Sequence, residues 1–493
     1  MTRTLEVRSG VYVDSVTLMQ VSRRVAAVEG VDAALVAMAT DLNLDLARGM
    51  GFEVPAGVGP NELLVAVDAT GDAALAEALR RLDEALHEQR PAPTGFGAPP
   101  AALTVRAAAR GLDPASAVAL VSTPGRHAFS DAVDAVDAGL TTLVFSDNVP
   151  VEQEVALKRY AEQDGVLVMG PDCGTAVIGG VGLGFANVVR PGPVGIVAAS
   201  GTGAQHLMCL LDGAGIGVTH CLGVGGRDLS EAVGGLSTLR ALELLDADPD
   251  VELVVVVSKP PSPAVAEAVR RRAERLGTPV QLALLGPGRP DLTASAREVA
   301  RSLGHEWSAP EHWAGAPGRG RPGGFLRGLY SGGTLCDEAM LVAGERLGPI
   351  ASNIPLDPAD ALAPGLASRG HTMIDFGDDA LTRGRPHPMI DGSLRVERLR
   401  AETADPTAGV LLLDVVLGHG ADPDPAAGLA GPVQEAVAAG LPVVVCVVGS
   451  REDPQDLRRQ CGRLTEAGAA VHRSNAAATR AALDLLEPAE EDR

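Results

Sequence analysis

Short runs of apolar residues recur along the chain and constrain its fold more than any other feature. Runs such as "VALVS", "TTLVFS", "VGIVAAS", "ELVVVVS" and "PVQLALLG" have the length and composition of strands buried on both faces of a parallel sheet. Stretches of Ala, Leu, Arg and Glu with helical period separate them. This alternation predicts repeated βαβ units, and therefore an α/β protein.

Two stretches rich in proline and glycine divide the chain. "RPAPTGFGAPPAA" (90–102) ends an N-terminal segment, and "APEHWAGAPGRGRPGG" (309–324) separates two larger blocks. With 493 residues and roughly 100–200 residues per domain, several domains are expected. The N-terminal segment is predicted to be a small α/β unit, with a helix that ends at Gly30 and is followed by a strand.

The charge and the cysteines narrow the possible partners and the compartment. A net charge of −22 argues against nucleic acid, although local loops can still bind small anions. No apolar run is long enough for a membrane helix, and the first residues do not resemble a secretory signal. The six cysteines form no CxxC pair, which is typical of reduced thiols in a cytoplasmic protein. No spacing of histidines and carboxylates matches a metal site.

A faint internal repeat flanks the second linker. "VGIVAASGTGAQHLMCLLDGAGIG" begins at Val194, and "FLRGLYSGGTLCDEAMLVAGERLG" begins at Phe325. Each stretch predicts a strand, a Ser-Gly turn and a helix that ends near glycine. Two similar α/β units in tandem are the simplest interpretation.

The turns of this repeat are candidate sites for a phosphate or a carboxylate. Glycines let the backbone approach a ligand, and a helix N-terminus offers free N–H groups to an anion. Ser and Thr add hydroxyl donors, although ordinary helix capping would select the same residues. The candidate anion-binding residues are Ser200, Gly201, Thr202, Gly203, Ser331, Gly332, Gly333 and Thr334.

Charged residues follow other predicted strands. Lys259 comes after four valines and a serine, at a carboxyl strand end where open α/β sheets bind ligands, so it is a candidate point charge for an anion. His419 lies between glycines at the corresponding strand end of the second block. Both could equally be solvated surface residues.

Two further stretches hold the remaining candidates. "IDFGDD" contributes Asp375, Gly377 and Asp378, and "GRPHPMID" contributes Arg385 and His387. Because two prolines restrict the backbone around His387, the sequence predicts either a rigid surface turn or a positioned proton-transfer residue at the mouth of a site.

Taken together, these motifs resemble the FdrA family, an acyl-CoA-synthetase-like branch of the succinyl-CoA synthetase superfamily. The resemblance covers nearly the whole chain. It rests on "VYVDSVTLMQVS", "AMATDLN", "MGPDCGT", "GIVAASGTGAQ", "VSKPPSP", "LYSGGTLCDEA", "IDFGDD" and "GRPHPMID".

The resemblance implies a multidomain α/β architecture. A small N-terminal α/β domain (1–100) precedes a Rossmann-like domain of the CoA-binding type (101–191). Two flavodoxin-like domains of the succinyl-CoA-synthetase type follow in tandem (192–308 and 324–493), joined by a linker (309–323).

Departures from the synthetases shape the functional expectation. The loop that carries the phosphorylated histidine in the synthetases here reads "PGRPDLTASA", and Lys259 stands where a supporting glutamate is expected. The Gly-rich CoA-binding turn has no clear counterpart near Thr104, and no segment remains for an ATP-grasp domain. The resemblance therefore implies no required cofactor, while leaving a role for CoA or ATP open.

FdrA-like proteins are linked with oxamate carbamoyltransferase complexes of allantoin and purine breakdown. The resemblance thus implies a carbamoyltransferase subunit that uses carbamoyl phosphate and other small anions, in a homo- or hetero-oligomer with further subunits. Lys259, His387 and His419 would be the catalytic candidates. The alternatives are an ATP-dependent acyl-CoA ligase that needs a partner ATP-grasp chain, and a non-catalytic scaffold subunit.

Overall fold

The computed structural model describes residues 2–11, 13, 15–55, 57–88, 102–318, 320–321, 323–382 and 386–486. The described residues form two compact units, one drawn from Met1–Ala107 with Ala380–Pro386 and one drawn from Ala108–Asp379 with His387–Arg493. In neither unit does a described helix combine the length and the apolar character needed to cross a membrane.

The smaller unit is built on a three-stranded antiparallel sheet, with the strand order β1-β3-β2. Its elements are β1 (Thr2–Arg8), α1 (Ser15–Ala26), β2 (Val31–Met38), α2 (Asp41–Gly49), β3 (Leu63–Ala69) and α3 (Asp72–Glu88). The central strand β3 is buried on both faces. Val65 and Val67 pack against α1 and α3, while Leu64 and Ala66 pack toward α2. Alternate residues of one strand therefore hold two helical layers together.

The larger unit begins with a small parallel sheet of order β4-β5-β6. Its elements, after the short helix α4 (Val105–Ala108), are β4 (Val118–Val121), α5 (Gly125–Asp137), β5 (Thr141–Val144), α6 (Val151–Gln163) and β6 (Val168–Met169).

A six-stranded sheet follows, with the order β12-β11-β9-β10-β7-β8. The strands are β7 (Thr175–Ile178), β8 (Val181–Gly184), β9 (Val194–Ala199), β10 (Val218–Gly223), β11 (Leu253–Ser258) and β12 (Val280–Leu284). The helices are α7 (Gly201–Gly213), α8 (Leu236–Asp246), α9 (Pro263–Ala273) and α10 (Leu292–Ser302). The strands β9 to β12 are parallel, whereas β7 and β8 form an antiparallel edge.

The last sheet has seven strands in the order β13-β19-β18-β17-β14-β16-β15. The strands are β13 (His312–Trp313), β14 (Phe325–Tyr330), β15 (Ala351–Ser352), β16 (Thr372–Asp375), β17 (Ala408–Val416), β18 (Val443–Val448) and β19 (Ala470–His472). The α-helices are α11 (Gly333–Leu347), α12 (Asp379–Thr382), α13 (Ser393–Ala404), α14 (Pro425–Ala438), α15 (Leu457–Glu466) and α16 (Asn475–Leu486), and a 3₁₀ helix covers Pro358–Asp360. All strands but β13 run parallel.

The two large sheets have the same winding. Each places its first parallel strand, β9 or β14, inside the sheet, with the next strands on one side and the later strands on the other. This is the flavodoxin-like order, in which ligands bind at the carboxyl end of the first strand. The predicted α/β multidomain fold class is confirmed.

Two strand pairings cross the domain boundaries predicted from the sequence. The strands β7 and β8 belong to the range 101–191 by sequence, but they extend the six-stranded sheet through β10. Similarly, β13 lies in the range 309–323 and pairs with β19. In both cases short strands are added at the edge of a large sheet. The periodicity of a short strand does not show which strand it pairs with.

A buried ionic network joins α6 to the loop before α8. The ammonium of Lys158 donates to Glu154 (2.8 Å), to Asp228 (2.7 Å) and to the carbonyl of Val224 (3.0 Å). Asp228 also accepts the backbone N–H groups of Ser237 and Thr238. Since Lys158 is 3% exposed, its charge depends wholly on these partners.

Replacing Lys158 by methionine should therefore lower the stability of the larger unit by about 3–5 kcal/mol, because the buried Asp228 loses its cation. Glu154 would keep only its ion pair with Arg227 (3.0 Å). Urea unfolding followed by circular dichroism measures this change. Arg270→Ala, which removes an exposed ion pair with Glu267 (3.0 Å), serves as the control and should cost less than about 1 kcal/mol. Equal effects of the two substitutions would show that the network does not stabilise the unit.

Candidate functional site

Two strand-to-helix turns from the two large sheets meet in direct contact. The first turn joins β9 to α7 at Ser200, and the second joins β14 to α11 at Ser331 and Gly332. The hydroxyl of Ser200 accepts the N–H of Gly203 (3.0 Å) and donates to Oγ1 of Thr334 (2.6 Å). The predicted repeat therefore brings its two Ser-Gly turns to one place.

Glycines make this approach possible. A Cβ atom on Gly203 would lie 2.9 Å from Cγ2 of Thr334 in the other turn, and a Cβ atom on Gly332 would lie 2.5 Å from Oγ1 of Thr202. Larger residues would hold the turns apart. Because α11 starts after Gly332 without a side-chain cap, its first N–H groups are available to an anion.

The hydroxyl of Ser331 is committed to the protein. Its N–H (2.7 Å) and its hydroxyl (2.8 Å) both donate to Oδ1 of Asp414, which also accepts Nη1 of Arg395 (2.6 Å). Asp414 is fully buried, and this burial raises its pKa despite the neighbouring guanidinium. The expectation that Ser200 and Ser331 offer hydroxyl hydrogens to an anion is corrected here, since both donate to protein atoms and leave mainly backbone N–H groups.

Lys259 lies at the start of α11, directly after β11. A Cβ atom on Gly333 would lie 3.4 Å from Nζ of Lys259 and 2.8 Å from Oδ2 of Asp375. An ammonium group from one sheet and a carboxylate from the other therefore flank the same glycine. Among the described residues, no carboxylate oxygen lies within 4.0 Å of this Nζ.

The surroundings of Lys259 are more acidic than the sequence suggested. Burial alone would lower the pKa of Lys259, yet Asp337, Asp375, Asp172 and Asp378 together raise it. The ammonium therefore stays charged. Lys259 therefore has several carboxylates around it, and its predicted role as a point charge for an anion stays a prediction.

Two of these carboxylates are almost fully buried. Asp337 is 6% exposed and Asp375 is 5% exposed. Burial raises the pKa of Asp337 to about 6 and that of Asp375 to about 7, against the attraction of Lys259. Both groups are therefore partly protonated near neutral pH, which reduces the negative charge that an entering anion would meet.

Asp172 completes the group from the turn after β6. Its side chain is open to solvent, although protein surrounds it closely, and its backbone φ is 56°. This crowding and the charge of Asp379 raise its pKa. Because Asp172 is exposed and Lys259 is partly exposed, solvent can reach the space between these charged groups. We call this space beside Gly333 the cleft.

His387, predicted as a proton-transfer residue, lies beside Gly377 in the loop after β16. Its Nδ1 accepts the N–H of Met389 (3.2 Å), so in the neutral ring the proton is on Nε2. That Nε2 lies 2.9 Å, and Oδ1 of Asp375 lies 3.1 Å, from the position of a Cβ atom on Gly377. Burial lowers the pKa of His387 to about 4, so the ring is neutral at physiological pH.

The other sequence candidates are less central. The backbone of His419 pairs with Ala186 (2.8 Å and 3.4 Å), and its side chain is exposed. Asp378 is half-buried and acts on Lys259 through its charge. Arg385 lies outside the described residues.

Sequence reasoning missed Asp172 and Asp337 as members of the site. Asp172 stands in "GPDCGT", a Gly-rich turn after a strand, which is a usable signal. Asp337 lies four residues after Gly333, and this spacing puts both on one face of α11. The buried pair of Asp414 and Arg395 had no local signal, because a charged residue inside an apolar strand is ambiguous.

Comparison with known proteins supports an acyl-CoA-synthetase-like chain. Residues 1–99 match a family described as AllF, heavy metal-associated domain, and residues 329–485 match the CoA-ligase family. Protein YahF of Escherichia coli is 36% identical over 489 residues, which cover 94% of each chain.

Shorter similarities extend to CoA ligases. The α subunit of malate–CoA ligase from Methylorubrum extorquens is 28% identical over 36% of this chain and 60% of its own length. This chain therefore spans less than two thirds of that relative. The solved dinucleotide-forming acetyl-coenzyme A synthetase 1 of Candidatus Korarchaeum cryptofilum aligns over 80% of this chain and 87% of its own, with 17% identity and a TM-score of 0.30.

The side chains of the N-terminal segment do not suit a heavy-metal ion. Soft metals prefer thiolate ligands, and residues 1–99 contain no cysteine. Within the described part of that segment, no group of three histidine, cysteine or acidic side chains is arranged to hold a metal ion. We therefore assign no step to such a metal.

Gly333→Ala should block the site without unfolding it. The added methyl group would enter the space between Asp375 and Lys259, so phosphate affinity should fall by about tenfold or more, while alanine is favoured over glycine in a helix. Calorimetric titration with phosphate measures the affinity. Gly344→Ala, in the same helix with no atom within 4 Å of the new methyl group, should leave it unchanged. Unaltered phosphate binding by Gly333→Ala would place the anion elsewhere.

Proposed function

We propose that this chain, which belongs to the family of the Escherichia coli protein YahF, transfers a carbamoyl group between oxamate and phosphate as a subunit of an FdrA-type carbamoyltransferase. The chain is acyl-CoA-synthetase-like, and its similarity to the CoA-ligase family and to malate–CoA ligase supports a site for an activated acyl group. A carbamoyl phosphate is an acyl phosphate that needs neither ATP nor a histidine carrier. The proposal includes further subunits, a homo- or hetero-oligomer and a cytoplasmic location.

One observation carries the proposal. The Gly-rich starts of α7 and α11 touch through Ser200 and Thr334, and the ammonium of Lys259 lies beside the first residue of α11. Helix N-termini and a lysine are a phosphate-binding combination. The loop after β12, where a synthetase would carry its histidine, contains none.

The proposed reaction is balanced without a cofactor. An oxygen of phosphate attacks the carbamoyl carbon of oxalurate and forms a C–O bond. The C–N bond to the oxamate nitrogen then breaks, and this nitrogen takes its electron pair. The proton that phosphate gives up ends on the same nitrogen, so the products are carbamoyl phosphate and oxamate.

Asp375 is the best-placed group to carry that proton. Its pKa of about 7 means that both its forms are populated at neutral pH, as general acid–base catalysis requires. His387 has a pKa of about 4 and an occupied Nδ1. It is therefore better suited to donate a hydrogen bond from Nε2 than to exchange a proton. Developing negative charge on the carbamoyl oxygen would be stabilised by the N–H groups of α11 and by Lys259.

Lys259→Glu should reduce kcat/KM for carbamoyl phosphate formation by at least about 100-fold, because one charge 4 Å from an anion is worth about 4 kcal/mol at an effective dielectric of 20 before desolvation. Lys259→Arg should keep part of the activity, since it keeps the charge but not the compact shape. Phosphate-dependent cleavage of oxalurate by the complete complex measures both. Arg270→Glu serves as the control, because it makes the same kind of charge reversal at an exposed position on α9 and should leave the activity unchanged. Full activity of Lys259→Glu would exclude this side chain from phosphate binding.

An ATP-dependent acyl-CoA ligase is the second candidate. It is favoured by the match of residues 329–485 to the CoA-ligase family and by the similarity to malate–CoA ligase. It would need a partner ATP-grasp chain and a carrier such as His387 or His419. A non-catalytic scaffold subunit is the third candidate, and isolation of the native complex with assays of each subunit addresses it.

Incubation with γ-labelled ATP, with and without co-purified partner chains, separates the first two candidates. We expect no acid-labile phosphoprotein, because the usual histidine is missing and His387 lies behind the cleft. Labelling that disappears in His387→Asn or His419→Asn would instead establish the ligase reaction. Titration with CoA gives an independent measurement, and micromolar affinity would also favour the ligase.

A further inference from the structure

Asp337 is a buried carboxylate without a protein partner. It is 6% exposed, and in the described part of the chain it forms no hydrogen bond and no ion pair within 4.0 Å. By contrast, Oδ1 of the buried Asp414 accepts hydrogen bonds from Ser331 and Arg395. The carboxylate oxygens of Asp337 keep some contact with solvent, so a ligand that displaces this solvent must replace its hydrogen bonds.

The position of Asp337 directs it into the cleft. It lies one helical turn after Gly333, on the same face of α11, and helical side chains lean back toward the N-terminus. Gly333 is the residue that faces Nζ of Lys259 and Oδ2 of Asp375. The space beside Gly333 therefore has a cationic side, formed by Lys259 and the helix start, and an acceptor side, formed by Asp337 and Asp375.

We infer that Asp337 accepts a hydrogen bond from the amide NH₂ of a substrate whose anionic group is held by Lys259 and the start of α11. The site would thus select amide-bearing anions over analogues with a methyl group in place of the NH₂. This inference rests on the proposed function and deepens it, since it names the group that distinguishes carbamoyl and oxamate chemistry from ordinary acyl chemistry.

The selectivity follows from the cost of an unpaired acceptor. An amide NH₂ donates to the carboxylate, whereas a methyl group of nearly the same size cannot. Binding of a methyl analogue would remove water from the carboxylate of Asp337 without supplying another hydrogen-bond donor. A site that accepts a hydrogen bond from its substrate therefore strongly rejects an analogue of the same size that lacks the donor. An apolar pocket discriminates much less against an analogue with an added polar group.

Oxamate and pyruvate test the inference, because they differ by NH₂ against CH₃ and are both stable. Calorimetric titration of the full-length protein should show oxamate binding about tenfold to 100-fold more tightly than pyruvate, the range for a hydrogen bond to a charged group. Asp337→Asn should retain part of this ratio, since its amide oxygen still accepts. Asp337→Leu should bring the ratio close to one, and thermal melting identifies any variant that fails to fold.

Asp147→Asn is the matched control. Asp147 is exposed near the carboxylates of Asp172 and Asp379 and is not one of the four carboxylates that act most strongly on Lys259. Its removal takes away the same charge, so it should change both affinities together and leave their ratio unaltered.

The outcomes separate this inference from the proposed function. Equal binding of oxamate and pyruvate by the wild type, or an unchanged ratio in both folded Asp337 variants, would overturn the inference while leaving carbamoyl transfer possible. Tighter binding of L-alanine than of oxamate would also overturn it, because the cleft would then recognise an ammonium group. Failure of oxamate to bind, together with absent oxalurate cleavage, would overturn the proposed function itself.

Discussion

The contact between the two Ser-Gly turns determines most of what the larger unit can do. Ser200 and Thr334 are separated by 134 residues in the chain, yet their hydroxyls join the first turn of one flavodoxin-like sheet to that of the other. Because each turn follows the first strand of its sheet, both topological switch points open at the same place. Without glycine at 203 and 332 the turns would be forced apart, and Lys259 and Asp375 would not flank the same glycine.

The sequence predicted the fold well because its signals are local. Apolar runs such as those of β9, β11 and β18 are fully buried, and strand–helix alternation leaves few alternatives to parallel sheets. The charge environment of the site could not be read in this way. Asp172, Lys259 and Asp375 come from three distant segments, and only their arrangement in space shows that their charges act on one another. The strands β7, β8 and β13 were not predicted as members of these sheets for the same reason.

The choice of lysine at two positions is informative in this chain. Of its 41 lysine and arginine residues, only Lys158 and Lys259 are lysines. Lys158 is enclosed by two carboxylates and a carbonyl, where a compact ammonium fits and a planar guanidinium would need more space. Lys259 lies against Gly333 at the narrow start of a helix. In a chain that uses arginine almost everywhere else, both lysines occupy places where the size and shape of the cation matter.

The mixed charge of the cleft sets the kind of ligand that it can hold. A strongly basic cleft would bind any phosphate, and a strongly acidic one would exclude all anions. Here one ammonium and two helix starts are opposed by carboxylates whose pKa values lie near neutrality. In the proposed reaction an anion would enter because Asp375 can take up a proton as it does so. On the proposed function, a molecule that carries an anionic group together with a hydrogen-bond donor would satisfy both sides of the cleft, whereas an acyl phosphate without such a donor would satisfy only one.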